Sequence, residues 1–360
     1  MNIKNTQIII KSSHGKYQVH FVKNIESFKH YLEGESRLYF LIDEKVLNTN
    51  AQTIKRIARN QNSIVTVRAN EQAKQFSNLA RVINKLQIQG IRRGDTLVAV
   101  GGGVIQDIVG FIASILFRGI DWVFIPTTLA AQADSCIGSK TSINFQNKKN
   151  ILGNFYPPKY ILIFPNFCET LEDKHFNAGI GEMLKIHAIK SLSSFLLFAE
   201  KQIKLKQSRN ELHNAIHQSL ILKKYFIEKD EFDKGQRLLL NYGHSFGHAL
   251  EAATNFKIPH GVAITLGMDI ANFISYNNNF SSNEYHKTMH ESLLINSQNF
   301  LRTKIDWKKF KIALLADKKN TSTEYTFILP NTKNKLMLTR VNFNVNIVDQ
   351  VRVYWTKISR

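Results

Sequence analysis

Residues 98–111 read VAVGGGVIQDIVGF, an apolar run followed by three glycines and then by apolar residues at helical spacing. This pattern predicts a buried strand that passes directly into a helix. Bare backbone at Gly101–Gly103 lets a pyrophosphate approach, and the helix N-terminus supplies N–H donors and a positive dipole. The stretch lacks the GxGxxG spacing, so by itself it indicates either a dinucleotide site or a tight strand-to-helix turn.

Apolar segments on both sides of this stretch alternate with helical patterns. Such alternation is typical of a parallel sheet with crossover helices. Two short segments near the start flank a Ser-Ser-His-Gly turn and predict an edge hairpin. The predicted strands are Gln7–Lys11, Tyr17–Val22, Arg37–Ile42, Ser63–Val67, Thr96–Val100, Trp122–Ile125 and Tyr160–Phe164, and the predicted helices include Gln72–Leu86 and Val104–Leu116.

The pattern changes after about Pro165 to long helical periods, as in Leu192–Lys204, His213–Glu228 and Gly261–Tyr276. A chain of 360 residues also exceeds the usual size of one core, so two domains are expected. We therefore predict an α/β domain with a mostly parallel sheet over residues 1–170 and a mostly α-helical domain over residues 171–360.

The chain is strongly basic, with 48 Lys and Arg against 28 Asp and Glu and a formal net charge of +20. The basic residues never occur three in a row and accompany no nucleic-acid-binding motif, so no nucleic-acid partner is expected. A positive field also suits a small anionic substrate such as a phosphate ester. Two cysteines cannot form a disulfide scaffold, and neither a signal peptide nor a bilayer-spanning apolar run is visible. We therefore expect a cytoplasmic protein without a membrane partner.

A histidine pair stands out in the stretch NYGHSFGHALE, residues 241–251. His244 and His248 are four residues apart, so on a helix both imidazoles share one face. His260 follows in Pro-His-Gly, and Glu182 lies in AGIGEMLK. Two histidines and a carboxylate with an open position are typical of catalytic zinc. The alternative is that these are ordinary core or surface histidines.

Three further features each carry a functional and an ordinary interpretation. Lys185 lies three residues after Glu182, which suits substrate binding or proton transfer but also a surface salt pair. The polar stretch from Pro126 to Lys140, with Lys148–Asn150, suits a cofactor and an anionic substrate or a surface loop. Asp43 ends a predicted strand, where a carboxylate either binds ribose hydroxyls or is a solvated loop acid.

The motifs GGGVIQD, RGIDWVFIPTTLAAQADSCIG, GNFYPP, NYGHSFGHALE and PHG, in this order, make the chain resemble the 3-dehydroquinate synthase family of sugar-phosphate cyclases. The resemblance runs from roughly Asp43 to Pro330. It implies an N-terminal nucleotide-binding α/β domain, a helical C-terminal domain, bound NAD, zinc (or cobalt or another divalent metal) and a homodimer. The implied metal ligands are Glu182, His244 and His260.

The resemblance also assigns roles by position to residues of both domains. The implied NAD contacts are Asp43, Glu71, Lys74, Gly103, Val104, Ile105, Gln106, Asp107, Thr127, Thr128, Lys149, Phe167, Cys168, Glu169 and Thr170. The implied catalytic residues are Asp134, Lys185, Asn241 and His248. The implied substrate-binding residues are Arg118, Lys140, Asn150, Lys223, Arg237 and one of Lys318 and Lys319. Arg118 matches an arginine that reaches the substrate phosphate across a dimer interface.

The implied reaction converts 3-deoxy-D-arabino-heptulosonate 7-phosphate to 3-dehydroquinate in the shikimate pathway of aromatic amino-acid biosynthesis. Five positions depart from the family pattern: Ser139 replaces the second Gly of Gly-Gly-Lys, Val262 replaces the Glu of His-Gly-Glu, Gly181 replaces Ala before Glu182, and Ala69-Asn70 replaces Asp-Gly. These departures leave open a specialised cyclase for another sugar phosphate. A polyol or glycerol-phosphate dehydrogenase is a second alternative, and a non-catalytic basic binding protein is favoured only by the charge.

Overall fold

The computed structural model describes residues 7–35, 37–58, 63–146 and 148–359. The first six residues, which belong to the stretch searched for a signal peptide, lie outside the described residues. The chain divides into two compact units, one reaching to Leu171 and including Leu212–Phe232, the other made of Glu172–Glu211 and the residues from Asp233 onward. The sequence predicted one domain boundary, after residue 170. The structure differs, because Leu212–Phe232 also belongs to the first unit.

The strands concentrate in the first unit, and the helices continue through both. The strands are β1 (Gln7–Ser12), β2 (Gly15–Phe21), β3 (Leu38–Asp43), β4 (Ile64–Val67), β5 (Thr96–Gly101), β6 (Trp122–Pro126), β7 (Lys140–Phe145), β8 (Lys148–Phe155), β9 (Tyr160–Ile163), β10 (Glu324–Pro330) and β11 (Leu336–Asn342). The helices are α1 (Ile25–Leu32), α2 (Glu44–Thr49), α3 (Ala51–Ile57), α4 (Phe76–Ile88), α5 (Gly103–Ile115), α6 (Asp173–Lys190), α7 (Leu192–Ala199), α8 (Arg209–Lys229), α9 (His244–Ala253), α10 (His260–Asn277), α11 (Asn283–Ser297), α12 (Trp307–Leu315) and α13 (Ile347–Ile358).

The first unit is built on a seven-stranded sheet in the order β1-β2-β9-β6-β5-β3-β4. All neighbours are parallel except β1 and β2, which form the expected edge hairpin. The central strands β5 and β6 are buried at every position, which explains their continuous apolar sequence. From β3 the chain crosses to β4 on one side and then to β5 on the other. The carboxyl ends of β3 and β5 therefore flank a topological switch point, where ligands bind in open α/β sheets.

A separate two-stranded sheet, β7-β8, begins at Lys140, where the first polar stretch ends, and includes the second polar stretch, Lys148–Asn150. Its inward positions Thr141 and Ile143 are buried, so the segment carries the alternation of a half-buried strand. Just before it, Ala131–Ser135 forms a short π-helix. Of the two alternatives given for these stretches, the surface loop is therefore wrong for Lys148–Asn150, which lie in β8.

The second unit is mostly helical, as expected, with one additional hairpin, β10-β11. The helices α6 and α10 approach so closely that a Cβ at Gly181 would collide with the Gly261 carbonyl oxygen. This contact gives a physical reason for glycine rather than alanine before Glu182. Glycines at 243 and 267 bring α9 and α10 together in the same way.

Two predicted helices have different bounds in the structure. The segment Leu192–Lys204 is not one helix, because α7 ends at Ala199 and the backbone hydrogen bonds change to the tighter spacing, as from Lys201 N to the Phe198 oxygen at 3.0 Å. The helix expected from Gln72 begins only at Phe76, since Gln75 is extended and Asn70 caps a preceding 3-10 turn. Among the described residues, no helix is both long and apolar enough to cross a membrane.

Candidate active site

The glycine stretch of the first unit forms the turn from β5 into α5. A Cβ at Gly101 would lie 2.5 Å from the Ile105 Cγ1, and a Cβ at Gly102 would lie 3.0 Å from the Thr128 Cγ2. At Gly103 the nearest side-chain atom to such a Cβ is Ser135 Oγ at 3.8 Å. Packing therefore requires glycine at 101 and makes a side chain at 102 tight, whereas a Cβ at 103 would make only an ordinary contact.

Asp43 lies at the end of β3 on the same edge of the sheet. Its carboxylate caps α2 by accepting from Lys45 N at 3.1 Å and lies 3.4 Å from Ala69 N. Burial raises the pKa of Asp43, although these backbone donors oppose the shift. The residue is therefore held in a fixed orientation at the switch point, where a ribose would be bound.

Lys74 contacts both Asp107, a predicted NAD contact, and Asn150, a predicted substrate contact. Its Nζ lies 2.8 Å from Asp107 Oδ2 and 2.6 Å from Asn150 Oδ1. Ser142, which the sequence analysis missed, donates from both N and Oγ to Asp107, at 2.9 and 3.0 Å. Burial raises the pKa of Asp107 against the opposing charge of Lys74. A buried network thus aligns one face of α5 with the β7-β8 hairpin.

Glu71 is held by another residue that the sequence analysis missed. Asn144 is buried on β7 and donates to Glu71 Oε1 at 2.7 Å, while its own Oδ1 accepts from Asn150 N. The signal in the sequence was the alternation of polar and apolar residues in Thr-Ser-Ile-Asn-Phe. Lys149, by contrast, lies exposed on β8.

The remaining predicted NAD contacts lie in two groups. Thr127 is buried and its Oγ1 has no hydrogen-bond partner among the described residues, as expected of a group that awaits a ligand. Thr128 Oγ1 accepts from Ala131 N at 3.2 Å. Gln106 exchanges two hydrogen bonds with Ser135. Of the last group, Phe167 and Cys168 are core residues, and Glu169 and Thr170 are exposed.

Asp134 and Lys223 form a buried ion pair inside the first unit. Lys223 Nζ lies 2.5 Å from Asp134 Oδ1 and also donates to the Asp134 carbonyl oxygen at 2.6 Å. The pair joins α8 to the rest of this unit, to which Leu212–Phe232 belongs. Nearby, burial raises the pKa of Cys136 to about 12, so its thiol stays protonated.

Lys140 and Arg118 are exposed predicted substrate contacts of the first unit. Lys140 begins β7. Arg118 has a φ of +68° and follows Ile115, the last residue of α5, by three positions. It makes no hydrogen bond or ion pair with the part of the chain that the structure describes, and both interpretations of Arg118 stay predictions.

Glu182 and Lys185 lie on one face of α6 in the second unit. Lys185 Nζ is 2.5 Å from Glu182 Oε2, and both side chains are buried. The surface salt pair that the spacing also allowed is therefore excluded. A buried charge pair of this kind keeps a cation and a carboxylate at a fixed separation.

Three histidines converge beside this pair. The ligand atoms of His244, His248 and His260 all lie within 4.8 Å of one another, and Glu182 Oε1 lies 3.4 Å from His260 Nε2. The structure thus brings together the three predicted metal ligands and adds His248, which the resemblance implied as catalytic. The donor set of imidazoles and one carboxylate fits a divalent metal.

Glu251, to which the sequence analysis assigned no role, orients His260. Its Oε2 lies 3.1 Å from His260 Nδ1, which leaves Nε2 directed at Glu182. A carboxylate behind a ligating histidine is a common supporting contact in metal sites. Burial lowers the pKa of His260, but Glu251 and Glu182 outweigh it, and the pKa is raised overall.

The other two histidines are held neutral. Burial, reinforced by the charge of Lys185, lowers the pKa of His244 well below its usual value. Burial also lowers the pKa of His248 to about 4, and the charges of His260 and Lys319 act in the same direction. A neutral imidazole offers the lone pair that a metal or a transferred proton requires.

The remaining predicted site residues, Arg237, Asn241, Lys318 and Lys319, also belong to the second unit, before and after the three histidines in the sequence. Arg237 is buried in the 3-10 helix Gln236–Asn241, and Asn241 Nδ2 donates to the Leu238 oxygen at 3.1 Å. Lys319 Nζ lies 2.6 Å from Asp317 Oδ2, and its charge acts on His248. Lys318 is exposed. The geometry therefore favours Lys319 of the two lysines.

Two departures from the family pattern have structural consequences. Ser139 adopts a φ of +63°, a conformation that favours glycine, and its buried Oγ has no partner among the described residues. Val262 is completely buried on α10, two residues after His260. The first change adds an unpaired hydroxyl beside Lys140, and the second removes a carboxylate near the histidines.

Comparison with known proteins gives a consistent set of similarities. Residues 64–178 match the family model "3-dehydroquinate synthase N-terminal", and residues 179–320 match "3-dehydroquinate synthase C-terminal". A 3-dehydroquinate synthase of Dictyoglomus thermophilum is 40% identical over 65% of this chain and 66% of its own length. One of Streptococcus equi subsp. equi is 30% identical over 95% of this chain and 97% of its own.

Solved structures are similar in fold along nearly the whole chain. The crystal structure of 2-deoxy-scyllo-inosose synthase complexed with carbaglucose-6-phosphate, NAD+ and Co2+ aligns with a TM-score of 0.82. The alignment covers 97% of this chain and 99% of that one at 22% sequence identity.

Proposed function

Because the chain belongs to the 3-dehydroquinate synthase family, we propose that it is a sugar-phosphate cyclase, a carbon–oxygen lyase that forms 3-dehydroquinate from 3-deoxy-D-arabino-heptulosonate 7-phosphate. The observation that carries this proposal is the convergence of His244, His248 and His260 on the buried Glu182–Lys185 pair. The same proposal places the reaction in the cytoplasm and in aromatic amino-acid biosynthesis.

The proposal includes NAD and one divalent metal, zinc or cobalt. When bound, NAD would supply a transient oxidation that acidifies the C–H next to the phosphate-bearing carbon, while the metal would polarise the alcohol and carbonyl oxygens. The glycine turn from β5 into the start of α5 and the unpaired Thr127 hydroxyl fit NAD. The donor set Glu182, His244 and His260 fits the metal.

The chain's own residues would bind the anionic substrate and hold it in one orientation. Lys185, Lys223 and Arg237 are cations held in buried positions, where an anionic group binds more strongly than at the surface. Each of the two lysines is already paired with a carboxylate, so the cation is fixed in place before a substrate arrives. Positioning of this kind supplies a large part of the acceleration of an elimination and an intramolecular aldol closure.

Proton movement would use the neutral imidazole of His248, which has no metal-ligand role in the proposed set. Asn241 begins the same histidine-bearing segment and would donate a hydrogen bond to the substrate. Asp134 is tied to Lys223 and would orient its ammonium group. These roles remain assignments by position and local contact.

A specialised cyclase acting on another sugar phosphate is the second candidate. Ser139 and Val262 favour it, because both change polar groups next to residues that would bind substrate or metal. A polyol or glycerol-phosphate dehydrogenase would not require the buried cations on which the first proposal rests.

The purified chain with NAD and Zn2+ should be incubated separately with the heptulosonate phosphate and with other seven-carbon and six-carbon sugar phosphates. We expect phosphate release with the heptulosonate and a product of the mass of dehydroquinate. A Lys185→Met variant serves as the matched control, since it removes the charge at similar length. Release from another sugar phosphate alone would establish the specialised cyclase, and no release from any would refute the cyclase proposal.

A further inference from the structure

A second cluster of metal-ligand side chains lies in the second unit and shares no residue with the histidines described above. Asp269 on α10 and His286 and His290 on α11 place their ligand atoms within 4.8 Å of one another. Tyr354 on α13 adds a phenol oxygen 2.7 Å from Asp269 Oδ2. The two histidines are four residues apart, so α11 presents both from one face.

The donor atoms are spaced as a tetrahedral site requires. Zinc bonds to nitrogen and oxygen of about 2.0–2.1 Å place neighbouring ligand atoms about 3.3 Å apart. In the structure His290 Nδ1 lies 3.0 Å from Asp269 Oδ2 and 3.0 Å from Tyr354 Oη. His286 Nε2 lies 3.0 Å from Tyr354 Oη and 3.7 Å from Asp269 Oδ1. These four spacings lie within about 0.4 Å of the tetrahedral value, and the Tyr354 Oη–Asp269 Oδ2 pair is shorter, at 2.7 Å.

The charge of Asp269 gives an independent reason for a cation. Its carboxylate is only 1% exposed, and its partners among the described residues are the two histidines and Tyr354, with no lysine or arginine. A buried carboxylate without a cationic partner is strongly unfavourable. A protonated His290 could supply one positive charge, but a divalent cation would supply two and would use all four donor atoms.

Aromatic rings hold the cluster in place. Phe273 stacks on Tyr354 with ring centroids 4.2 Å apart, and Tyr276 lies nearly parallel to His286. The His290 side chain is 27% exposed, which leaves a route for an ion to enter. The site is therefore pre-formed, enclosed on one side and reachable from solvent.

We propose that Asp269, His286, His290 and Tyr354 form a structural site for a divalent cation such as Zn2+, which ties α13 to α10 and α11. On binding, the metal takes the lone pairs of His286 Nε2 and His290 Nδ1, and each imidazole carries its proton on the other ring nitrogen. The phenol proton that Tyr354 donates to Asp269 is released to solvent as both oxygens become ligands. The proposal does not depend on the reaction catalysed, because it concerns a different set of residues.

The test compares metal content in matched full-length chains that both carry His260→Ala. The second chain adds His286→Gln and His290→Asn, whose amide nitrogens take the positions of the two ring donors but cannot replace the imidazole lone pairs. After metal removal and equilibration with Zn2+, we expect the second chain to hold one equivalent less. Zn2+ should also raise the Tm of the first chain by about 5 °C more.

Equal zinc content and equal Tm shifts in the two chains would overturn the proposal and leave a hydrogen-bonded cluster that needs no metal. Should the double substitution prevent folding, His290→Asn alone in the His260→Ala chain provides the same comparison. The measured quantity is the difference in zinc content between the two chains. Both chains carry the same His244–His248–His260 cluster with His260→Ala, so zinc bound there cancels in the difference. Failure of the cyclase assay would leave this result unaffected.

Discussion

The buried pair Asp134–Lys223 allows a quantitative test of how α8 is held in the first unit. Asp134→Asn keeps the size of the side chain but removes the negative charge 2.5 Å from Lys223 Nζ. At an effective dielectric constant of 20 the direct attraction at that distance is about 7 kcal/mol, most of which offsets the desolvation of the two charges. Breaking such a pair costs about 3–5 kcal/mol.

We expect the lower end of that range, about 3 kcal/mol, because Lys223 Nζ keeps its 2.6 Å hydrogen bond to the Asp134 carbonyl oxygen. The free energy of unfolding should be measured by urea denaturation followed by tryptophan fluorescence. Adding Lys223→Met removes the buried ammonium as well and should recover about 2 kcal/mol of the loss. An Asp134→Asn variant within 1 kcal/mol of the wild type, or a double variant no more stable than the single one, would refute this reasoning.

Three further predictions follow from the contacts of single residues. His260→Ala should lose most of the metal bound at the histidine cluster, measured by metal analysis against a His14→Ala control on the β1-β2 turn; full retention with normal activity would contradict the ligand assignment. Burial lowers the pKa of His187 to about 4, below its unfolded value of about 6.5, so its contribution is present above pH 6.5 and is lost as the pH falls toward 4. The wild type should therefore lose about 3 kcal/mol of stability over this window relative to His187→Phe, which stays uncharged; parallel pH profiles would exclude the effect. If Arg118 completes the phosphate site of a partner in a homodimer, mixing inactive Arg118→Ala with inactive Lys185→Ala should restore partial activity after subunit exchange, whereas a mixture that stays inactive despite exchange places Arg118 in its own subunit's site.

Much of the first unit was predictable because its strands are buried on both faces. Continuous apolar runs such as Thr96–Val100 and Trp122–Ile125 match β5 and β6 to within one residue. The β7-β8 hairpin was missed because β8 is exposed along most of its length and β7 carries the polar residues Ser142 and Asn144, so the hairpin resembles a loop in composition. The division of α7 and the return of Leu212–Phe232 to the first unit depend on packing, which leaves no periodic signal.

In the candidate site, too, features that depend on spacing within one helix were predictable, and contacts between residues far apart in the sequence were not. The four-residue spacing of His244 and His248 predicts a shared helix face, and α9 begins at His244. The contact of Glu251 with His260 joins two helices, and Ser142 reaches Asp107 across 35 residues, so neither contact could be read from spacing. The pair His286 and His290 did carry the same spacing signal as the first pair. It was overlooked because its acidic partner, Asp269, lies on the preceding helix.

The ratio of phosphate released to NADH formed tests the central proposal most directly. The metal-loaded protein should be incubated with excess heptulosonate phosphate and NAD equal to the number of protein chains, while phosphate and absorbance of NADH are followed together. The proposed cyclase predicts many phosphates released per NAD with no accumulation of NADH, because the hydride returns to the product. Formation of one NADH per substrate consumed, or phosphate release that is independent of NAD, would contradict it.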